Sequence, residues 1–139
     1  IRNPLIMLHP KLTKANINVI EHFDETITKI RALPGELNQV WTNLIDNAID
    51  AMEVNNKGNL EITSKHDARF VKIYIKDDGP GIPKDIQQNI FAPFFTTKEM
   101  GKGSGLGLDV VSRIMLQHNG TVKVNSEPGA TEFEVCLPI

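Results

Sequence analysis

A single cysteine, Cys136, in 139 residues leaves no intramolecular disulfide and no Cys-x-x-Cys zinc or redox pair. The four histidines, His9, His22, His66 and His118, are scattered without an H-E-x-x-H or comparable spacing, so no metal site built from protein ligands alone is expected. No apolar run approaches the roughly 18 residues that span a bilayer, and no signal-peptide pattern opens the chain. The expectation is a soluble, cytoplasmic domain with no membrane contact of its own. The chain starts at Ile1 and runs at once into apolar Leu5, Ile6, Met7 and Leu8, which reads as a piece of something longer, its parent free to carry a membrane anchor elsewhere. An excess of one charge is missing too: 15 basic against 17 acidic residues give −2. No global field therefore favours nucleic acid or anionic lipid, and any anion site has to be local.

What remains is the size and make-up of one globular domain, with 40% apolar and 23% charged residues, enough to bury a real core. Ile17 and Val19, and less neatly Phe23, alternate as a half-buried strand over residues 15–23, with a short partner predicted over 28–33. After Pro34-Gly35, residues 36–53 carry Leu37, Val40, Trp41, Leu44, Ile45, Ala48, Ala51 and Met52 at three-four spacing, the strongest helix in the chain. Leu60, Ile62 and Ser64, then Val71, Ile73 and Ile75, alternate in two strands expected to form a hairpin. From Asp77 to Gly107 the periodicity fails through six glycines and three prolines, apart from a short helical stretch near 84–91. A loop of that length in a compact domain is usually functional. A helix over 108–118 stopped by Asn119-Gly120, and strands over 121–126 and 131–137, complete the chain. Six strands segregated from about three helices predict an α+β two-layer sandwich, with helices on one sheet face.

Three constellations carry the chemistry. Asn43, Asn47 and Asp50 fall at i, i+4 and i+7 on the long helix and share one stripe. A solvated stripe and a ligand-facing one both fit, but asparagine is a poor helix-interior residue unless its amide is employed. Asp77-Asp78-Gly79-Pro80-Gly81 puts a carboxylate at a strand end and glycines where backbone can approach a ligand, or forms a plain turn. Gly101-Lys102-Gly103-Ser104-Gly105-Leu106-Gly107 opens into a helix, an arrangement of backbone N–H donors suited to phosphate, with Lys98 and Lys102 adding local positive charge. The dinucleotide and P-loop fingerprints both fail here: Leu106 stands where the third glycine belongs, and Lys102 is followed by Gly103 instead of Ser or Thr.

Together and in order, these pieces resemble the ATP-binding domain of sensor histidine kinases, in the GHKL superfamily shared with DNA gyrase, repair ATPases and the heat-shock chaperone. Asn43-Leu-Ile-Asp-Asn47-Ala is similar to the N box, Asp77-x-Gly79-x-Gly81 to the first glycine box, Phe91-Ala-Pro-Phe94-Phe95-Thr96-Thr97-Lys98 to the F box, and Gly103-Ser-Gly105-Leu-Gly107-Leu108 to the second glycine box. The resemblance covers about residues 11–139 and implies the Bergerat fold, a mostly antiparallel mixed sheet with helices on one face.

It also implies roles. Asn47 resembles the Mg²⁺ ligand, an amide oxygen being a hard donor. Asp77 resembles the acceptor of the adenine N6 amine, a contact that guanine, with a carbonyl there, cannot make. Gly79, Gly81 and Ile82 would close on the base, while Asn43 and Asp50 line the site from the helix. Residues from about Pro83 to Leu106 would form a lid anchored by Phe91, Phe94 and Phe95, with Thr96 and Thr97 as its polar shoulder. Gly103, Ser104, Gly105, Leu106, Gly107 and Leu108 would carry the phosphate end, paired with Lys98 or Lys102.

Asn43 stands where the hydrolysing branches resemble one another in having a glutamate, and asparagine has no basicity with which to activate water. The resemblance therefore implies a domain that binds ATP and Mg²⁺ and presents the γ-phosphoryl to a histidine, with a GHKL-type ATPase, a nucleotide-gated switch or a nucleotide-sensing adaptor as alternatives. No His-Glu-x-x-x-Pro phosphoacceptor box occurs in the chain, so the acceptor helices, of the same or a partner chain, lie elsewhere, with a response regulator as the indirect partner. Two departures from the family pattern, Asp78 for the commoner Asn and Ala130 for Gly, carry no chemistry in this reading.

Overall fold

Twenty residues, Pro34–Glu53, form the longer helix, α1, in the computed structural model, which describes residues 13, 17–22, 34–53, 58–79, 81–82, 87, 90 and 107–138. α1 begins two residues earlier than its apolar pattern. A proline is tolerated in a first turn, because its missing N–H would have had no intrahelical partner there. The apolar stripe is buried as its spacing predicts: Val40, Leu44, Ile45 and Met52 are fully enclosed, and Leu37, Trp41 and Ala48 nearly so. The stripe runs through Ile49, which is fully buried, and not through Ala51, which lies half-buried at its edge.

Five strands are described: β1 Ile17–His22, β2 Gly58–His66, β3 Phe70–Asp77, β4 Thr121–Glu127 and β5 Ala130–Pro138, in the order β1-β2-β3-β5-β4. β1 pairs with β2 in parallel and the remaining pairs are antiparallel, giving the mixed, mostly antiparallel sheet expected. A parallel pair needs a long crossover, and α1 lies in that crossover. The predicted β2–β3 hairpin forms, its turn held by the Asp67 carboxylate, which accepts the N–H groups of Arg69 and Phe70 at 2.8 Å each. The strand predicted over 28–33 and most of the helical stretch near 84–91 lie outside the described residues, so two helices, not about three, are seen among them.

The second helix, α2 (Gly107–Gln117), turns Val111, Ile114 and Met115 inward and ties Asp109 to Arg113 one turn on. Its end is capped by Asn119 in the left-handed region (φ 57): Asn119 N–H reaches Leu116 O and Gly120 N–H reaches Met115 O. Both helices cover the sheet face that presents Leu60, Ile62, Ile75, Phe133, Val135 and Leu137, and this interlayer is the core. Each such side chain contributes about 1.5–3 kcal/mol through burial. The opposite face is mostly polar, with Phe70 exposed on it. There Lys72 meets Glu134 at 3.9 Å, and Lys65 lies 5.6 Å above the Tyr74 ring.

Candidate functional site

Strand alternation decides where Asp77 points. Asp77 continues the series Ile73, Ile75 on β3, so it faces the helix layer and is only 2% exposed. In the pairing register it stands opposite Leu60 on β2 and Thr131 on β5, and Thr131 in turn stands opposite Ser126 on β4. A carboxylate thus occupies the apolar face where the chain leaves the sheet.

Among the described residues its one hydrogen-bond donor is the Gly79 N–H, 3.0 Å from Oδ1. An ionised carboxylate accepts at about four positions, so most of its capacity is unfilled. Burial pushes its pKa up to about 6; the Gly79 N–H opposes that rise and the neighbouring Asp78 charge adds to it.

Gly79 fixes the distance between the carboxylate and α1. A Cβ there would come within 3.2 Å of both the Ala51 carbonyl carbon and its Cβ, closer than such contacts normally run. Ala51 is one turn beyond Asn47, so the Asp77–Gly79 corner abuts the stripe that carries Asn43, Asn47 and Asp50, all three half-buried. The stripe is therefore neither core nor open solvent. Gln39 donates to the Asn43 side-chain oxygen at 2.6 Å and so helps orient that amide.

Gly81 (φ 90) packs its α-carbon against the Glu127 carbonyl, where any side chain would overlap the backbone. Ile82 then donates its N–H to Ser126 Oγ at 2.7 Å and adds its side chain to the edge of the core. Gly107 and Leu108 open α2, and Leu108 is half-buried against the same core. The remaining predicted contacts lie outside the described residues: Phe91, Phe94, Phe95, Thr96, Thr97 and Lys98 of the F-box segment, and Lys102, Gly103, Ser104, Gly105 and Leu106 of the second glycine segment.

Two features escaped the sequence. Thr131 and Ser126, 4% and 8% exposed, join by a 2.9 Å hydroxyl contact beside Asp77. Only the strand register brings them there. Asp78, set aside as inert, accepts the Asn59 N–H at 2.9 Å and the Asn59 side-chain amide at 3.0 Å, and so ties the start of β2 to the end of β3. Cys136 lies away from this corner, and its thiol is pushed up by burial, so it is no activated nucleophile.

Residues 32–139 match the family described as histidine kinase-, DNA gyrase B- and HSP90-like ATPases. The chain belongs to that family. The nucleotide-free catalytic domain of histidine kinase ThkA superposes with a TM-score of 0.86 at 30% identity, covering 99% of this chain and 90% of that one. ShkA, solved at full length in complex with AMPPNP, also gives 0.86 at 29% identity, covering 99% of this chain and 28% of that one. Among sequences, the sensory histidine kinase/phosphatase NtrB of Rhodobacter capsulatus is 33% identical over 138 residues, which cover 90% of this chain and 38% of NtrB. The sensor histidine kinase ZraS of Escherichia coli K12 is 41% identical over 117 residues, covering 84% of this chain and 24% of ZraS. This chain thus spans well under half the length of NtrB and ZraS, and what it shares with them is the ATPase-type domain.

Proposed function

We propose that this domain binds ATP with Mg²⁺ and presents the γ-phosphoryl to a histidine on a separate pair of phosphoacceptor helices, as the catalytic half of a two-component sensor kinase. The observation that carries the reading is Asp77: a buried carboxylate at a strand end, with acceptor positions unfilled by the described residues, directed beneath the Asn43–Asn47–Asp50 stripe. A flat base offering an exocyclic amine satisfies such a carboxylate. One offering a carbonyl at the same place is repelled.

Asn47, with Asp50 three residues on, supplies hard oxygen donors on the half-buried face of α1. Among the described residues no group of three or more His, Cys, Asp or Glu could hold a metal by itself. That donor set suits Mg²⁺, which takes one or two protein oxygens and completes its shell with phosphate and water. When bound, the ion neutralises charge on the phosphates. The chain's own contribution is to seat the base at Asp77, hold Asn47 at a fixed distance through the Ala51–Gly79 contact, and direct the phosphates toward the start of α2 at Gly107 and Leu108. The segment 91–106, with Lys98, Lys102, Gly103 and Gly105, is assigned to the phosphate end.

Asn43 favours transfer over hydrolysis. It stands one turn before Asn47 and has no basicity to activate water, whereas phosphoryl transfer depends chiefly on positioning and charge neutralisation. The response regulator enters as an indirect partner in this reading; histidine kinase ThkA, 28% identical with a TM-score of 0.81, is known in complex with a response regulator protein, TrrA, which supports such a protein as a partner of the whole kinase. Among the described residues no helix is long and apolar enough to cross a membrane; a catalytic domain working in the cytoplasm is part of the proposal. Titration calorimetry with ADP, ATP and GTP, each with and without Mg²⁺, tests the reading. Adenine-selective, Mg²⁺-sensitive binding is expected, and equal affinity for GTP would overturn it.

A further inference from the structure

The two polar side chains buried beside Asp77, Ser126 and Thr131, have no part in the binding scheme above, yet they join two loops that have no local reason to meet. Ser126 Oγ accepts the Ile82 N–H at 2.7 Å and lies 2.9 Å from Thr131 Oγ1, with the Ala130 carbonyl a longer alternative at 3.4 Å. Gln87 Nε2 donates to the Ile82 carbonyl at 2.8 Å and to the Ser126 carbonyl at 3.3 Å. Both backbone groups of Ile82 are therefore held, one by the Ser126 hydroxyl and the other by the Gln87 amide. The Gly81 α-carbon is seated against Glu127 next door. The far end of the same network is Thr131, which the register places opposite Asp77 on the buried face.

We propose that Ser126 is a positioning residue for base recognition: its hydroxyl, shared between the Ile82 N–H and the Thr131 hydroxyl, sets where Gly81 and Ile82 lie relative to the Asp77 carboxylate. Gln87 is the second hand of the same clasp. Ser126 touches no substrate in this scheme; it acts through Ile82 and through Thr131. The inference rests on the adenine-nucleotide reading of Asp77 and adds to it the device that holds the reader in place. A buried hydroxyl used only to satisfy strand ends would need no contact with Ile82. Here the shortest of its contacts is to the Ile82 N–H.

A ligand comparison separates positioning from general stability. ADP and purine riboside 5′-diphosphate, which has hydrogen in place of the exocyclic amine, are titrated into the chain and into Ser126→Ala, Ser126→Thr and Gln87→Leu. The wild-type chain is expected to prefer ADP. Ser126→Ala is expected to lose roughly tenfold in affinity for ADP and less than twofold for the analogue, the size of one lost buried hydrogen bond felt only where the amine is read. Ser126→Thr, which keeps the hydroxyl, restores most of the ADP affinity. Equal losses for both ligands, or no loss for either, overturn the positioning role. If Ser126→Ala does not fold, the same ratio is read in Gln87→Leu, where a preference for ADP equal to wild type is the overturning result. A wild-type chain with no preference for ADP over the analogue would sink the adenine reading itself, an outcome distinct from a wild-type preference that survives in the variants.

Discussion

Asp77 works against the stability of the domain that carries it. Its pKa stands at about 6 against an ordinary 3.8, so the native state holds a proton more tightly than the unfolded chain. As pH rises from 3.8 to 6 the unfolded state releases this proton first, and the group's contribution to stability falls, by about 3 kcal/mol in all, then levels off above 6. Asp77→Asn should therefore raise the melting temperature of the nucleotide-free protein at pH 7 while weakening ADP binding by about 1–3 kcal/mol. Thermal melts beside calorimetric titrations check both halves, and a variant that melts lower and binds ADP normally would refute the assignment. Binding carries the opposite pH sense. The ionised carboxylate is the form that accepts the amine, so ADP affinity should decline as pH drops through about 6. Titrations near pH 6 in buffers of different ionisation enthalpy should show proton release on binding.

At the scale of elements, α1 both closes the core and carries the polar stripe, and the two duties can be separated by mutation. Leu44→Ala, on the fully buried side, should cost about 2–5 kcal/mol in denaturant unfolding with nucleotide selectivity retained in the folded fraction. Asn47→Ala replaces a half-buried asparagine with a better helix former, so stability should hold or rise slightly. ATP affinity should then fall when Mg²⁺ is present and change little in chelator. An equal fall in both conditions would mean the site, and not the ion, had been damaged. The other helix terminus gives a purely conformational case: Asn119 at φ 57 tolerates the left-handed region better than alanine, so Asn119→Ala should cost about 1 kcal/mol with no effect on nucleotide binding.

For the whole molecule, the division of labour follows from what the site contains. The groups proposed to bind ligand gather at one end of the sheet, where β3 and β4 finish and β2 and β5 begin, and the helix layer provides the wall. Asn43 offers no base there. This chain alone should therefore show negligible steady ATP turnover, and joined to its phosphoacceptor helices it should take label from γ-labelled ATP onto histidine. Brisk hydrolysis by the chain alone would return the choice to the ATPase branch of the family. Among the described residues the outer sheet face is mostly lysine and glutamate, with Phe70 37% exposed on it, and sedimentation is expected to find a monomer at micromolar concentration.

Much of this was legible in the sequence because it depends on local spacing. The three-four repeat of α1, the alternation in β2, β3 and β5, and the turn residues after α2 each specify one element within a short stretch, and the structure has them within a residue or two. Asp77 at a strand end and glycines behind it were likewise visible as order along the chain. What tertiary structure alone decided is adjacency across strands and layers. The register of β3 on β5 and of β5 on β4 sets Thr131 and Ser126 beside Asp77, although about fifty residues separate them in the chain. The Ala51–Gly79 contact ties the carboxylate to the asparagine stripe, and the Asp78–Asn59 pair closes the strand ends. A side chain's neighbours in sequence fix its backbone preferences, but its electrostatic environment comes from residues that meet it only after the sheet has paired, and that is why the burial that moves the Asp77 pKa belongs to the fold.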